Sequence, residues 1–293
     1  MSAPGDVHLR PMTAADVEDG LRLCRASRWN QVSRDWEQFL ALDPLGAVLA
    51  CRGDRVVGSV ATIRYPPDLA WVAMVLVDPA ERGQGIGTAL LREGLSLVRD
   101  VPVVGLDATP LGRPLYLTLG FVDAFGLHRM QRPPAGPAAA AAAVPSAHVR
   151  RLHSDDLVQV FEFDRAVTGV DRSRTLRWLV EGAARYAWVS TSGPGGALDG
   201  FVTGRHGQSF EHLGPVLASE RSVAQELVAA VLGDVPADRA VVIDAAEPQA
   251  GWVPWLMSMG FEQQRPFTRM YRGEAATREC QPGLFAVIGP EFG

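Results

Sequence analysis

Three alternate glycines, Gly83, Gly85 and Gly87, stand out as residues able to do chemistry, in the run Val77-Asp78-Pro79-Ala80-Glu81-Arg82-Gly83-Gln84-Gly85-Ile86-Gly87-Thr88. An almost continuously apolar stretch (69–77) and a Pro-led turn precede them, and an amphipathic helical pattern follows. A helix N-terminus offers unpartnered backbone N–H groups and a partial positive charge. Glycines let that backbone approach an anion such as a pyrophosphate with no Cβ in the way. Two other phosphate loops fit worse. All 28 basic residues are arginine, so the G-x-x-x-x-G-K-S/T loop and any Schiff-base lysine are excluded. A dinucleotide G-x-G-x-x-G is not met, because Gly87 and Thr88 follow Gly85 too soon, although Asp107 lies where a ribose-binding acid would be spaced.

Other reactive side chains are sparse. The three cysteines, Cys24, Cys51 and Cys280, form no C-x-x-C pair, and the six histidines show no H-x-x-x-H spacing. Neither a metal nor a disulfide framework is expected. No cysteine has a histidine partner in motif terms, so an acyl-enzyme is not expected either.

The elements that must hold the glycine loop are legible from periodicity. Strands are expected near 6–12, 46–52, 55–65, 69–77 and 102–107, with a final strand pair over 121–130. Helices are expected near 13–26, 33–42, 86–99 and 111–119. The pattern then recurs. His8-Leu9-Arg10 through Asp16 matches His148-Val149-Arg150 through Asp156, Leu119-Gly120-Phe121 matches Met259-Gly260-Phe261, and Arg129-Met130 matches Arg269-Met270, always 140 residues apart. With 293 residues, two domains are expected: 1–130 and 148–272, joined by a Pro/Ala linker over 131–147 and followed by a tail, 273–293, containing the strand-like Leu284-Phe285-Ala286-Val287-Ile288.

The chain is 47% apolar with net charge −5, and neither half is basic. Nucleic acid and anionic membrane are therefore poor partners. No secretory leader or membrane span is visible, and a cytoplasmic location is expected.

The segment Arg82-Gly83-Gln84-Gly85-Ile86-Gly87 resembles the acetyl-CoA loop of the GCN5-related N-acetyltransferases (GNATs), Q/R-x-x-G-x-G/A. Tyr116-Leu117-Thr118-Leu119-Gly120-Phe121 is similar to that family's Y-x-x-x-G-F close. The resemblance covers 6–130 with specific motifs and 148–272, through the repeat, with weak ones. It implies a mixed α/β fold of two tandem GNAT-like domains, each a twisted mixed sheet flanked by helices. It also implies that Arg82, Gly83, Gln84, Gly85, Ile86, Gly87 and Thr88 hold the pyrophosphate, and that the backbone of Leu76 and Val77 pairs with the pantetheine. Tyr116 matches the tyrosine that protonates the departing thiolate, with a core tyrosine of the last helix as the alternative.

One departure matters. Where many members carry a glutamate as general base, this chain has Met74. Asp107, with a counterpart in Asp244, either binds or deprotonates the acceptor or caps a strand end. Asn30, Asp35, Trp36 and Asp244 are acceptor-site candidates, with helix capping for Asp35 and core packing for Trp36 equally open. Asp171 and Arg172 are expected to pair on a solvated helix face. The second half has lost the loop: Ser222, Val223 and Ala224 would obstruct phosphates, Glu220 would repel them, and Trp255 stands near the tyrosine's place.

The implied activity is acetyl transfer from acetyl-CoA to a small-molecule amine by direct attack in a ternary complex, without metal, by a monomer or homodimer. A non-catalytic acetyl-CoA sensor is the rival that Met74 favours. A mycothiol-synthase-like enzyme is the other, but such enzymes usually keep the working loop in the carboxy-terminal half.

Overall fold

The computed structural model describes residues 7–134, 146, 148–193, 196–273 and 279–293. The first half runs β1 (Val7–Pro11), α1 (Val17–Ala26), α2 (Ser33–Leu42), β2 (Ala47–Arg52), β3 (Arg55–Tyr65), β4 (Leu69–Val77), α3 (Ile86–Leu97), β5 (Val103–Ala108), α4 (Arg113–Thr118), β6 (Val122–Arg132). The second repeats it as β7 (Val149–Arg151), α5 (Leu157–Thr168), α6 (Ser173–Gly182), β8 (Trp188–Thr191), β9 (Leu198–Arg205), β10 (Phe210–Ala218), α7 (Arg221–Leu232), β11 (Ala240–Ala246), α8 (Trp252–Ser258), β12 (Glu262–Gly273). The tail adds β13 (Leu284–Ala286).

The repeated Arg and Asp near the two starts do the same local work. Asp16 accepts the Thr13 N–H at 2.8 Å and Asp156 the His153 N–H at 2.8 Å, each closing a first turn. Arg10 and Arg150 grip those two carboxylates with both guanidinium arms. The final strand pair expected over 121–130 is instead one unbroken strand, β6. Its last residues, Gln131 and Arg132, pair with Val242 and Val241, inside the stretch expected as linker. Most of that linker lies outside the described residues.

All described strands form one sheet, in the order β1-β2-β3-β4-β5-β12-β6-β11-β13-β10-β9-β8-β7. The halves exchange their last strands: β12 lies antiparallel beside β5, and β6 antiparallel beside β11. At the centre Leu127 pairs with Phe267, residues 140 apart, so a pseudo-two-fold relation passes through that pair.

One face of the sheet carries α1, α2, α5 and α6 over a shared core containing Trp36, Phe39, Leu176, Leu179 and Phe292. The other face is split into a core under α3 and α4 and another under α7 and α8. Joining the helix layers across the halves, Arg34 donates to the Trp178 carbonyl at 2.8 Å. Among the described residues no helix is long and apolar enough to cross a membrane.

Candidate active site

The glycine loop is built for close approach. Gly83 and Gly85 have φ of +79°, the left-handed region where a side chain costs about 1 kcal/mol or more. A Cβ at either would meet nothing within 4 Å, so the loop surface is open. From Gly83 to Thr88 no backbone N–H donates to a carbonyl among the described residues; the first to do so is Ala89, to Gly85 at 3.0 Å. These free donors sit at the start of the twelve-residue α3. The loop is tied down from below. Asp78 accepts the Ala80 N–H at 3.1 Å and takes Arg55 at 2.7 Å, and Glu81 takes Arg52 at 2.9 Å. Gln84 is held from both sides, by Arg52 at 2.8 Å and Glu81 at 3.2 Å, and the exposed Arg82 donates to the Val77 carbonyl at 3.3 Å.

Beside the loop the sheet opens. β4 and β5 pair only from Leu69–Trp71 to Val103–Gly105, so beyond them the β4 edge facing away from β3, through Leu76 and Val77, has no partner strand among the described residues. A bulge shifts the β3–β4 register between Ser59 and Ala61 and places Met74 at φ +54°, with its carbonyl held by the Ser59 hydroxyl at 2.8 Å. The cleft between β4 and β5 is narrow and runs from Tyr116 past Met74 and Leu106 to Trp29 and Phe267. Tyr116 is half-buried against Phe121, and its hydroxyl meets no hydrogen-bond partner among the described residues. Burial pushes its pKa up to about 12, so the hydroxyl keeps its proton at neutral pH.

The second half shows the same splay filled. β13 lies between β10 and β11, pairing Ala286 with both Val216 and Ala245. The tail backbone passes so close that a Cβ on Gly214 would stand 2.1 Å from the Val287 carbonyl oxygen. Phe285 packs edge-on against Trp252, which stacks on Trp255. Of a sheet edge and a course across the interface between the halves, the two placements open to this strand-like tail, the structure shows the second: β13 sits inside the sheet rather than on its edge, and the residues past it cross to the first half. β13 occupies the slot in the second half that stays open in the first, and no glycine loop remains beside it, since α7 begins directly at Arg221 after Glu220.

Past β13 the tail crosses to the first half. Trp71 donates to the Pro290 carbonyl at 2.9 Å, and the Tyr65 hydroxyl donates to the Phe292 carbonyl at 2.8 Å. Pro290 and Glu291 thereby line the far side of the Tyr116 cleft, together with Arg129 and Arg265 of the exchanged strands. Arg129 is balanced, gripping Asp244 at 2.8 and 2.7 Å. Arg265 lies over the Phe267 ring at 4.8 Å and makes no hydrogen bond or ion pair with any described residue.

The acceptor candidates are brought together only in part. Asn30 lines the cleft, but its side chain is spent joining the halves: it donates to the Phe210 carbonyl at 2.9 Å and accepts the Ser209 N–H at 2.8 Å. Asp35 turns away. It caps the Val32 N–H at 2.8 Å and takes Arg205 at 3.2 Å. Trp36 is a core residue over Gly20, and Asp244 is enclosed between Arg129 and His212. Asp35, Trp36 and Asp244 therefore do not face the cleft, because each is held by buried neighbours. Asp107 does line it, with both oxygens taken by Arg269 at 2.8 Å. Arg172 is not on a solvated face; it is buried and grips Asp164 at 2.6 and 3.1 Å, while Asp171 caps Ser173 at 2.9 Å.

A buried chain of charges backs the cleft. Arg205 sits among Asp35, Glu291 and His212, donating to the His212 Nδ1 at 3.0 Å, so the His212 proton is on Nε2, facing Asp244 at 2.9 Å. Burial, then the neighbouring Arg205, pushes His212 down to about 4. Burial opposes ionisation of Asp244, yet Arg129 and His212 hold it below the usual carboxylate range. Neither Glu291 nor Arg265 is marked as a site residue by type and spacing in the sequence. They reach the cleft from the tail and from β12, segments that no local motif connects to the glycine loop.

Similarity to known proteins agrees with this geometry. The profile of the acetyltransferase (GNAT) family matches residues 16–121, and that of an acetyltransferase (GNAT) domain matches 160–286. A holothin acyltransferase from Pseudoalteromonas sp. (strain SANK 73390) is 31% identical over 275 residues, covering 92% of this chain and 88% of that protein. A mycothiol acetyltransferase from Thermomonospora curvata is 39% identical over 84 residues, 27% of this chain and 28% of that one. The crystal structure of a putative acetyltransferase from Pyrococcus horikoshii shares the fold, with TM-score 0.78 and 22% identity over 98% of this chain and 96% of that one. Two GNAT domains in one chain, one with an open cleft and one closed by the chain's own tail, make this protein a tandem member of the GNAT acetyltransferase family.

Proposed function

We propose that the first half binds acetyl-CoA and transfers its acetyl group directly to the amine of a small molecule held between the halves. The observation that carries this reading is the open strand edge at Leu76 and Val77, continuous with a glycine loop whose backbone donors are free. The residues fit the donor: the Gly83–Thr88 N–H groups are free to receive an anion, and the β4 residues Val72–Val75 that precede the open edge line the cleft with Tyr116.

Acylation requires the amine to lose a proton and the sulfur to gain one. The amine nitrogen attacks the acyl carbon, the C–S bond breaks, and the sulfur takes the Tyr116 proton, which solvent restores. Two carboxylates line the acceptor side. Asp107 has both oxygens engaged by Arg269, which suits a positioning role. Glu291 shares the single guanidinium of Arg205 with Asp35, and it lines the same cleft as Met74, which has no ionisable group. We assign Glu291 as the acceptor of the amine proton.

The name of the holothin acyltransferase relative supports a small-molecule acceptor. The mycothiol-like reading is weaker, because that likeness spans 28% of the relative. Incubating the full chain with acetyl-CoA and a panel of amines while following free thiol tests the reading: amine-dependent thiol release supports it, and tight acetyl-CoA binding with no release on any amine supports the sensor instead.

A further inference from the structure

Arg265 is the one charged group lining the cleft for which no described residue supplies a partner. Its Nε is buried with no acceptor among the described residues, its guanidinium rests on the Phe267 face, and the residue paired with it across the strands is another arginine, Arg129, which already grips Asp244. Burial first, and then Arg129, lowers its pKa to about 10, so it is charged at neutral pH. Holding such a cation partly buried and unpaired is unfavourable unless something completes it.

The pseudo-two-fold relation sharpens the point. Arg129 and Arg269 are images of each other, and each has its aspartate. The image of Arg265 is Phe125. The unpaired cation is therefore present on the side of the open cleft and replaced by an aromatic ring on the other. The pyrophosphate loop does not account for it, since Arg265 comes from β12 and shares the acceptor end of the cleft with Pro290, Glu291 and Trp29.

Resting on the reading that this cleft receives an amine acceptor, we propose that the acceptor carries an oxyanion, carboxylate or phosphate, which Arg265 binds. A guanidinium fork matches either group with two parallel hydrogen bonds. Arg265 thus selects the acceptor, while Tyr116 and Glu291 handle protons.

The test uses the full chain, acetyl-CoA and four probes: phenylalanine, its methyl ester, 2-phenylethylamine and O-phosphoethanolamine. The expected result is a preference of at least about 10-fold in kcat/KM for an anion-bearing probe over 2-phenylethylamine, which carries no anionic group. Phenylalanine against O-phosphoethanolamine separates carboxylate from phosphate. Arg265→Gln should raise KM for that probe by about 10- to 100-fold, with kcat and acetyl-CoA affinity little changed, and Arg265→Lys should restore part of it. A preference for 2-phenylethylamine over the anion-bearing probes, or a fall in kcat equal for all probes, overturns the proposal.

Calorimetric binding of the anionic probes, with desulfo-CoA present, separates this from failure of the enzymatic reading. Binding that Arg265→Gln abolishes and Tyr116→Phe leaves intact sustains the anion site even without turnover. Binding that ignores Arg265 overturns it even if amines are acetylated.

Discussion

Arg269 and Asp107 belong to different halves of the chain, and they meet in a two-pronged pair at 2.8 Å inside the protein. Arg129 and Asp244 repeat the arrangement with the halves reversed. Each aspartate ends a parallel strand beside a splay, and each arginine arrives on the other half's last strand. The exchange of β6 and β12 is therefore locked by charge as well as by backbone pairing, and the cleft wall of the first half belongs partly to the second.

Removing one partner of such a pair strands a buried charge, at about 3–5 kcal/mol. Asp107→Asn should lower the unfolding free energy by that order, and a double-mutant cycle with Arg269→Gln should show strong coupling. If Asp107 positions rather than deprotonates, kcat/KM measured on the folded variant falls less than a lost general base would demand. A loss of about 10³-fold with stability intact would instead make it the base.

Glu291→Gln should reduce kcat/KM at neutral pH by about 10²-fold, and the loss should close as pH rises and the amine deprotonates unaided. Glu291→Asp should keep the wild-type shape of the pH profile. A deficit constant across pH would mark Glu291 as structural only.

The repeat and the glycine loop were legible because each depends on local residues: alternate glycines, and matching words 140 apart. The strand exchange was not, since β5 accepts β6 or β12 with similar apolar alternation and only the three-dimensional course decides. Arg129-Met130 and Arg269-Met270 were visible as words of the repeat, but their partners Asp244 and Asp107 lie over a hundred residues away. Asp35 and Trp36 suit an acceptor pocket by residue type, but their neighbours turn Asp35 to capping Val32 and Trp36 to core packing, partners that lie outside any local motif. The tail's strand was visible as Leu284-Phe285-Ala286, whereas its slot between β10 and β11 exists only because Gly214 lets the chain pass.

His212 predicts an acid sensitivity of folding. Its pKa is about 4 in the folded chain and near 6.5 when unfolded, so between those values the unfolded state binds more protons and stability rises with pH. The stabilisation is complete above about pH 6.5 and lost on descending to about 4, roughly 3 kcal/mol in all. Urea midpoints across that range should show the slope in wild type and its loss in His212→Gln.

Tyr116→Phe should cut kcat by about 10²-fold while acetyl-CoA affinity stays level. Because burial holds the hydroxyl near 12, the wild-type rate should show no fall from tyrosine ionisation below about pH 10. Unchanged turnover in the variant would remove Tyr116 from the reaction.

The most direct measurement of the account is calorimetric titration of the full chain with acetyl-CoA, because two homologous halves are said to offer one working site. The account predicts one equivalent per chain, lost or weakened at least about 10-fold by Gly85→Ala in the open loop, where the left-handed backbone resists a side chain. Two equivalents, or one that survives loop substitution unchanged, would contradict it by showing that the half closed by its own tail binds the donor.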